Sequence, residues 1–112
     1  MKIRWWDWLP FRRWRVVGLV EDADELPPRL PRTGAVLVTS AGYDKWVAFD
    51  CPCKRGHRIM LNIDEARRPY WHVALGKDRI LTIAPSIDYT DAQKRCHYFM
   101  RDGRIQWAKD WL

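Results

Sequence analysis

The sequence predicts a mostly-β fold, a small antiparallel sheet or partly open barrel of about six or seven short strands with little helix. Three observations carry that expectation. Residues 35–108 contain a succession of short β-rich or alternating runs. Gly, Asp and Pro turn chemistry separates them. The chain has 112 residues and is 47% hydrophobic, enough to bury one modest core.

The elements follow in order. Ala35-Val36-Leu37-Val38-Thr39 is a β-rich run closed by Ser40-Ala41-Gly42. Lys45-Trp46-Val47-Ala48-Phe49-Asp50 alternates, with Trp46 and Ala48 on one face and Val47 and Phe49 on the other. Arg58 to Ile63 places Ile59, Leu61 and Ile63 on one face. Trp71 to Leu75 and Arg79 to Ile83 form two more strands around Gly76-Lys77-Asp78. Phe99-Met100-Arg101 and Arg104 to Trp107 flank Asp102-Gly103, a strong two-residue hairpin signal. Residues 88–95 are the one stretch of this half with helical character. Three zones result: a Trp/Arg-rich N-terminal segment, 1–20; an acidic, Pro-rich connector, 21–34; and a mostly-β core domain, 35–112.

Composition narrows the function classes. No apolar run approaches the roughly 20 residues of a membrane-spanning helix. Charges interrupt every apolar stretch of the first residues, unlike a signal peptide, so a cytoplasmic protein is expected. Three cysteines, an odd number with one Cys-x-Cys pair, do not make a secreted disulfide framework. The net charge of +6 is uneven. Residues 1–18 carry Lys2, Arg4, Arg12, Arg13 and Arg15 against Asp7 alone, and the acidic block Glu21, Asp22, Asp24, Glu25 follows. Arg interleaved with Trp suits base stacking, a membrane surface or a docking arm. The simpler expectation is that Trp5, Trp8, Phe11 and Trp14 pack on the sheet while the Arg side chains stay solvated. With no basic stripe elsewhere, nucleic acid ranks last among partners.

Two clusters carry chemistry. Cys51, Cys53 and His57 lie within seven residues at a strand end, and Cys96-His97 comes 43 residues later. Thiolate and imidazole suit Zn²⁺, so Cys51, Cys53, His57 and Cys96 are candidate ligands. Against this, Cys-x-Cys is not the usual knuckle spacing, adjacent Cys96 and His97 point to opposite strand faces, and buried apolar thiols are common. The second cluster is Ala84-Pro85-Ser86-Ile87-Asp88 with Cys96-His97. Ser86 follows one strand and His97 opens the next, so a hairpin-like return can bring a nucleophile to its base. Cys96 is an alternative nucleophile, and Asp88, Asp91 or Asp102 an orienting acid. A Ser after Pro is more often a turn residue. His72, alone on a strand, is given no role.

Phe49-Asp50-Cys51-Pro52-Cys53 followed by Gly56 to Asn62, Leu81 to Ile87, and His97 to Trp107 form an ordered set of blocks. They resemble a family of small bacterial proteins encoded beside ubiquitin-like conjugation enzymes in Bub operons, the BubE-like serine deubiquitinases. The resemblance spans about residues 26–108 and leaves the Trp-rich start outside. It implies a peptidase or isopeptidase of antiphage defence that processes or removes a ubiquitin-like modifier. Its partners are that modifier and its conjugation enzymes, and it needs no cofactor. Carried over by position, Ser86 and His97 are the catalytic pair. The chain departs from the pattern at Cys96, where Ser is usual, and at Lys54-Arg55, which replace an expected Cys or Gly. On this basis backbone N–H groups near Cys51–Cys53 are expected to hold the oxyanion, and an exposed strand edge to take the extended tail. A non-catalytic zinc-binding adaptor of the same conjugation system is the alternative.

Overall fold

Unbroken apolar runs in the first half of the chain and alternating runs in the second build two different sheets. The computed structural model describes residues 1, 3–9, 12–53, 56–90 and 95–108. Among them the first sheet has the order β1-β2-β3-β4, from Arg15–Val20, Gly34–Ser40, Tyr43–Asp50 and Arg58–Asn62. The second has the order β5-β6-β7-β8, from His72–Leu75, Leu81–Thr90, Arg95–Arg101 and Arg104–Trp107. Their inner faces share one core, and neither sheet closes into a barrel.

The first sheet is buried on both faces along β2, which explains that strand's continuous apolar sequence. Ala35 and Leu37 face the shared core with Val47, Phe49 and Leu61, whereas Val36 and Val38 face a second cluster with Val20 and Leu30. Residues of the 21–34 connector, Leu26 and Leu30, cover that outer face. The Asp50 carboxylate pins the connector by accepting the Leu30 N–H at 2.9 Å and the Arg58 Nε–H at 2.7 Å. Arg58 in turn donates to the carbonyls of Pro27 and Pro28.

The second sheet keeps one face in the core and one in solvent. Along β7 exposed and buried residues alternate from Arg95 to Arg101, with Cys96, Tyr98 and Met100 inward. The Asp102-Gly103 turn has φ of 51° and 74° at its two residues, the left-handed pair of the expected hairpin. Gly103 also ties three segments together, its N–H donating to Leu81 O and its carbonyl accepting from the Trp14 N–H, both at 2.8 Å.

Several expectations are corrected. The mostly-β expectation holds, but among the described residues there are eight strands, and β1 pairs with β2 in parallel. The expected 1–20 segment thus supplies a strand of the first sheet. Its register shift between Val16 and Gly18 breaks the two-residue period that would have revealed it. The helical character expected over 88–95 is replaced by strand up to Thr90 and again from Arg95; residues 91–94, with Asp91, lie outside the described set. Pairing of Asp88 with His97 and Tyr89 with Cys96 overrides the polar composition there. At the N-terminus Trp14 is buried, but Trp5 and Trp8 are 73% and 47% exposed on a single 3-10 turn, Trp5–Trp8. Phe11 lies outside the described residues.

Candidate active site

Ser86 sits where β6 is least regular. The β6–β7 register shifts between Ile83 and Ile87, and the Ala84–Pro85 peptide bond is cis. The bulge lifts Ser86 to the outer face of the second sheet, and Trp71 holds it there: the indole Nε1–H donates to Ser86 O at 2.9 Å. Trp71 itself packs against the core, and its backbone N–H donates to Asn62 O at the end of β4.

His97 comes to the same place from β7. It is paired directly with Asp88, two residues beyond Ser86, so the three side chains share the outer face. The distance from His97 Nε2 to Ser86 Oγ is 2.8 Å. This is the reach a general base needs for a hydroxyl nucleophile. The Asp88 carboxylate is clamped by Arg95, whose Nε and terminal nitrogen lie 2.9 and 2.6 Å from its two oxygens. The guanidinium, and more weakly His97, hold the Asp88 carboxyl below its usual range. Asp88 thus presents a fixed negative charge beside the imidazole. Phe99 continues the row, its ring centroid 5.9 Å from that of His97.

The thiols belong to the other side of the strand. Cys96 is fully buried on the inner face of β7, and its Sγ lies within 4.8 Å of those of Cys51 and Cys53. Burial first, then the neighbouring thiols, push Cys96 up to about 12. Burial likewise raises Cys51, whose Sγ is 3.6 Å from the Tyr98 hydroxyl. A protonated, water-excluded thiol turned away from His97 is poorly placed as a nucleophile.

Other candidates fall elsewhere. Asp102 lies five residues past His97, roughly 16 Å along the strand, and its carboxylate pairs with Arg13 at 3.6 Å. The His57 ring lies tilted against that of Tyr89, centroids 4.7 Å apart, and is not part of the thiol group. The Cys51 N–H donates to His57 O at 2.9 Å, so it is spent and does not serve an oxyanion. His72 is exposed on β5 opposite Ala84. A cleft of about 1260 Å³ opens beside Trp8, Pro27, Cys51 and Met60, and neither Ser86 nor His97 lines it.

Sequence spacing missed Trp71 and Arg95 as supports of the site. An indole at a strand start and an Arg two residues from the His were the available signals, and neither is specific without the β6–β7 register.

A family model described as the bacterial ubiquitination-like system serine protease (BubE) matches residues 22–108 of the chain. No curated protein and no solved structure matches it.

Proposed function

The chain belongs to the family of bacterial ubiquitination-like system serine proteases, and from that premise we propose that it cleaves the bond following a ubiquitin-like modifier, with Ser86 as nucleophile and His97 as base. The observation that carries this is the 2.8 Å approach of His97 Nε2 to Ser86 Oγ on an exposed sheet face. In the proposed mechanism Nε2 takes the Oγ proton as the oxygen attacks the carbonyl of the modifier's C-terminal residue. The imidazolium then gives that proton to the leaving amine. Water, deprotonated by the same nitrogen, hydrolyses the acyl-enzyme and frees Ser86. Asp88 faces the imidazolium and stabilises the positive charge that develops on it, held in place by Arg95.

The sheet edge suits an extended tail. β5 pairs with β6 only over Leu81–Ala84, so among the described residues Ser86–Thr90 pairs with β7 alone. A modifier tail adding there as a strand passes the nucleophile.

A serine-reactive fluorophosphonate tests the assignment without knowledge of the modifier. It should label the wild-type protein at Ser86, located by peptide mass spectrometry, and should label neither Ser86→Ala nor His97→Ala. Ser86→Ala should keep the wild-type melting temperature and cleave no C-terminally extended ubiquitin-like protein. Undiminished labelling or cleavage by Ser86→Ala would overturn the assignment.

The thiol group supports a second reading, a zinc-binding role in the same conjugation system. Three Sγ atoms within 4.8 Å fit the separations around one tetrahedral Zn²⁺ with bonds of about 2.3 Å. Cys51, Cys53 and Cys96 would be the ligands, and the metal would tie the end of β3 to β7. Near-stoichiometric zinc in freshly purified protein, with melting lowered by a strong chelator, is its expected signature.

A further inference from the structure

The outer face of the second sheet carries charge that the catalytic pair does not use. Beyond His97 on β7 come Phe99 and then Arg101, and Arg101 is paired directly across the hairpin with Arg104. Two like charges placed opposite one another on a strand pair are destabilising. No ion pair among the described residues relieves them. Among the described residues the ion pairs are Arg13 with Asp102, Lys45 with Asp64, Arg58 with Asp50 and Arg95 with Asp88, and neither Arg101 nor Arg104 takes part. The neighbouring carboxylate, Asp102, is already engaged by Arg13.

These guanidiniums are joined to the reaction centre. The Arg101 guanidinium carbon lies 4.6 Å from the centroid of the Phe99 ring, and that ring is 5.9 Å from His97. A continuous surface therefore runs from Ser86 through His97 and Phe99 to Arg101, with Arg104 beside its end. From the His97 ring to the Arg101 guanidinium the path is on the order of 10 Å, or about three residues of extended chain at roughly 3.3 Å each.

Accepting the peptidase assignment above, we propose that Arg101 and Arg104 form a specificity subsite for a carboxylate on the substrate peptide, about three residues from the scissile bond, with Phe99 as the platform between. A forked guanidinium pair matches a carboxylate, and the repulsion between the two arginines is neutralised when one binds. Two cations are too few for a nucleic-acid backbone. The carboxylate has two sources, a Glu or Asp side chain or a free peptide C-terminus.

Quenched fluorogenic octapeptides with Glu, Gln or Lys at each of three positions on either side of the scissile bond test this, each with a free and an amidated C-terminus. In parallel, fluorescein-labelled versions are titrated into Ser86→Ala by anisotropy. At one position Glu should be favoured over Gln by roughly tenfold, a preference that fades as salt rises. In Arg101→Gln/Arg104→Gln it should fall to within about twofold. If only the free C-terminus matters, amidation rather than Glu→Gln should remove the effect. Because both arginines are exposed and repel each other, the double variant should melt no lower than wild type. Equal use of Glu and Gln with no effect of amidation, or a Glu preference that survives the double substitution, overturns the subsite. Failure of Ser86 to react with the fluorophosphonate instead overturns the peptidase assignment, and the anisotropy series still decides whether the arginines bind carboxylate.

Discussion

Replacing Trp71 by Phe removes one hydrogen bond and some of the indole's packing on the core while leaving the Ser86 and His97 side chains untouched, so its kinetic effect reads the contribution of positioning. The indole N–H that is lost donates to Ser86 O at 2.9 Å. A net hydrogen bond contributes about 1 kcal/mol, and a buried carbonyl left without a partner costs about 1–3 kcal/mol. Ser86 is half-buried rather than fully buried, so the lower end applies. The expected loss is about 1–2 kcal/mol, at roughly 4–8 °C of melting temperature per kcal/mol for a domain of this size. The kinetic effect should be larger. Ser86 sits on an irregular stretch of β6, and a nucleophile displaced by ~1 Å can lose on the order of a hundredfold. Cleavage of a C-terminally extended ubiquitin-like protein should therefore show kcat reduced roughly 10- to 100-fold, with KM within about twofold. A merely structural defect would lower the folded fraction and leave kcat per folded molecule unchanged. A kcat within twofold of wild type, with melting lowered as expected, would refute the positioning argument.

The remaining predictions concern the core, the turn and acid stability. Cys96→Ala should lower the unfolding free energy read from urea denaturation by about 1–2 kcal/mol through a small cavity, with kcat per folded molecule retained because the thiol lies on the face away from His97. Cys96→Ser should be the worse variant, since it buries a hydroxyl among thiols. Gly103→Ala should cost more than about 2 kcal/mol by thermal melting, because φ is +74° and the new Cβ would lie 2.8 Å from Arg13 Cβ and 3.0 Å from Trp14 O. The Asp64 carboxyl is held low by its hydrogen bond from Lys45, and that of Asp88 by Arg95. A carboxyl whose folded pKa lies below its unfolded value adds stability above the usual carboxylate range and loses it as pH falls through the folded value. Melting temperature should therefore drop as pH goes from about 4 toward 2, and Asp64→Asn with Asp88→Asn should flatten that drop.

The strands that the sequence made visible are the unbroken apolar run of β2 and those that alternate or end in a clear turn. β3, β4 and the β7–β8 hairpin alternate or end in Asp102-Gly103, and period and turn chemistry locate them without help from the rest of the fold. β1 was hidden for a physical reason. It is paired in parallel, carries a register shift at Val17 and lies in a sheet covered on both sides, so its apolar residues follow no two-residue period. The later part of β6 was hidden by composition. Asp88 and Thr90 look like helix-start residues until pairing with β7 turns them outward. The exposed Trp5 and Trp8 mark the opposite failure, because a large apolar side chain is not thereby a core residue.

The site was half legible for a related reason. In a strand, neighbours in sequence face opposite ways, so Cys96-His97 was always two pieces of chemistry rather than one. The structure sorts the candidates by that parity. Ser86, Asp88 and His97 meet on the wet face, where proton transfer can be tuned by a clamped carboxylate. Cys51, Cys53 and Cys96 meet on the inner face, where burial keeps Cys51 and Cys96 protonated unless a cation replaces the protons. The two functional readings therefore compete for no residue. A metal on the inner face would bear on catalysis through β7 alone, by fixing the backbone that presents His97 to Ser86. Chelation should then lower the melting temperature and kcat together, whereas Ser86→Ala should abolish kcat and leave metal content unchanged.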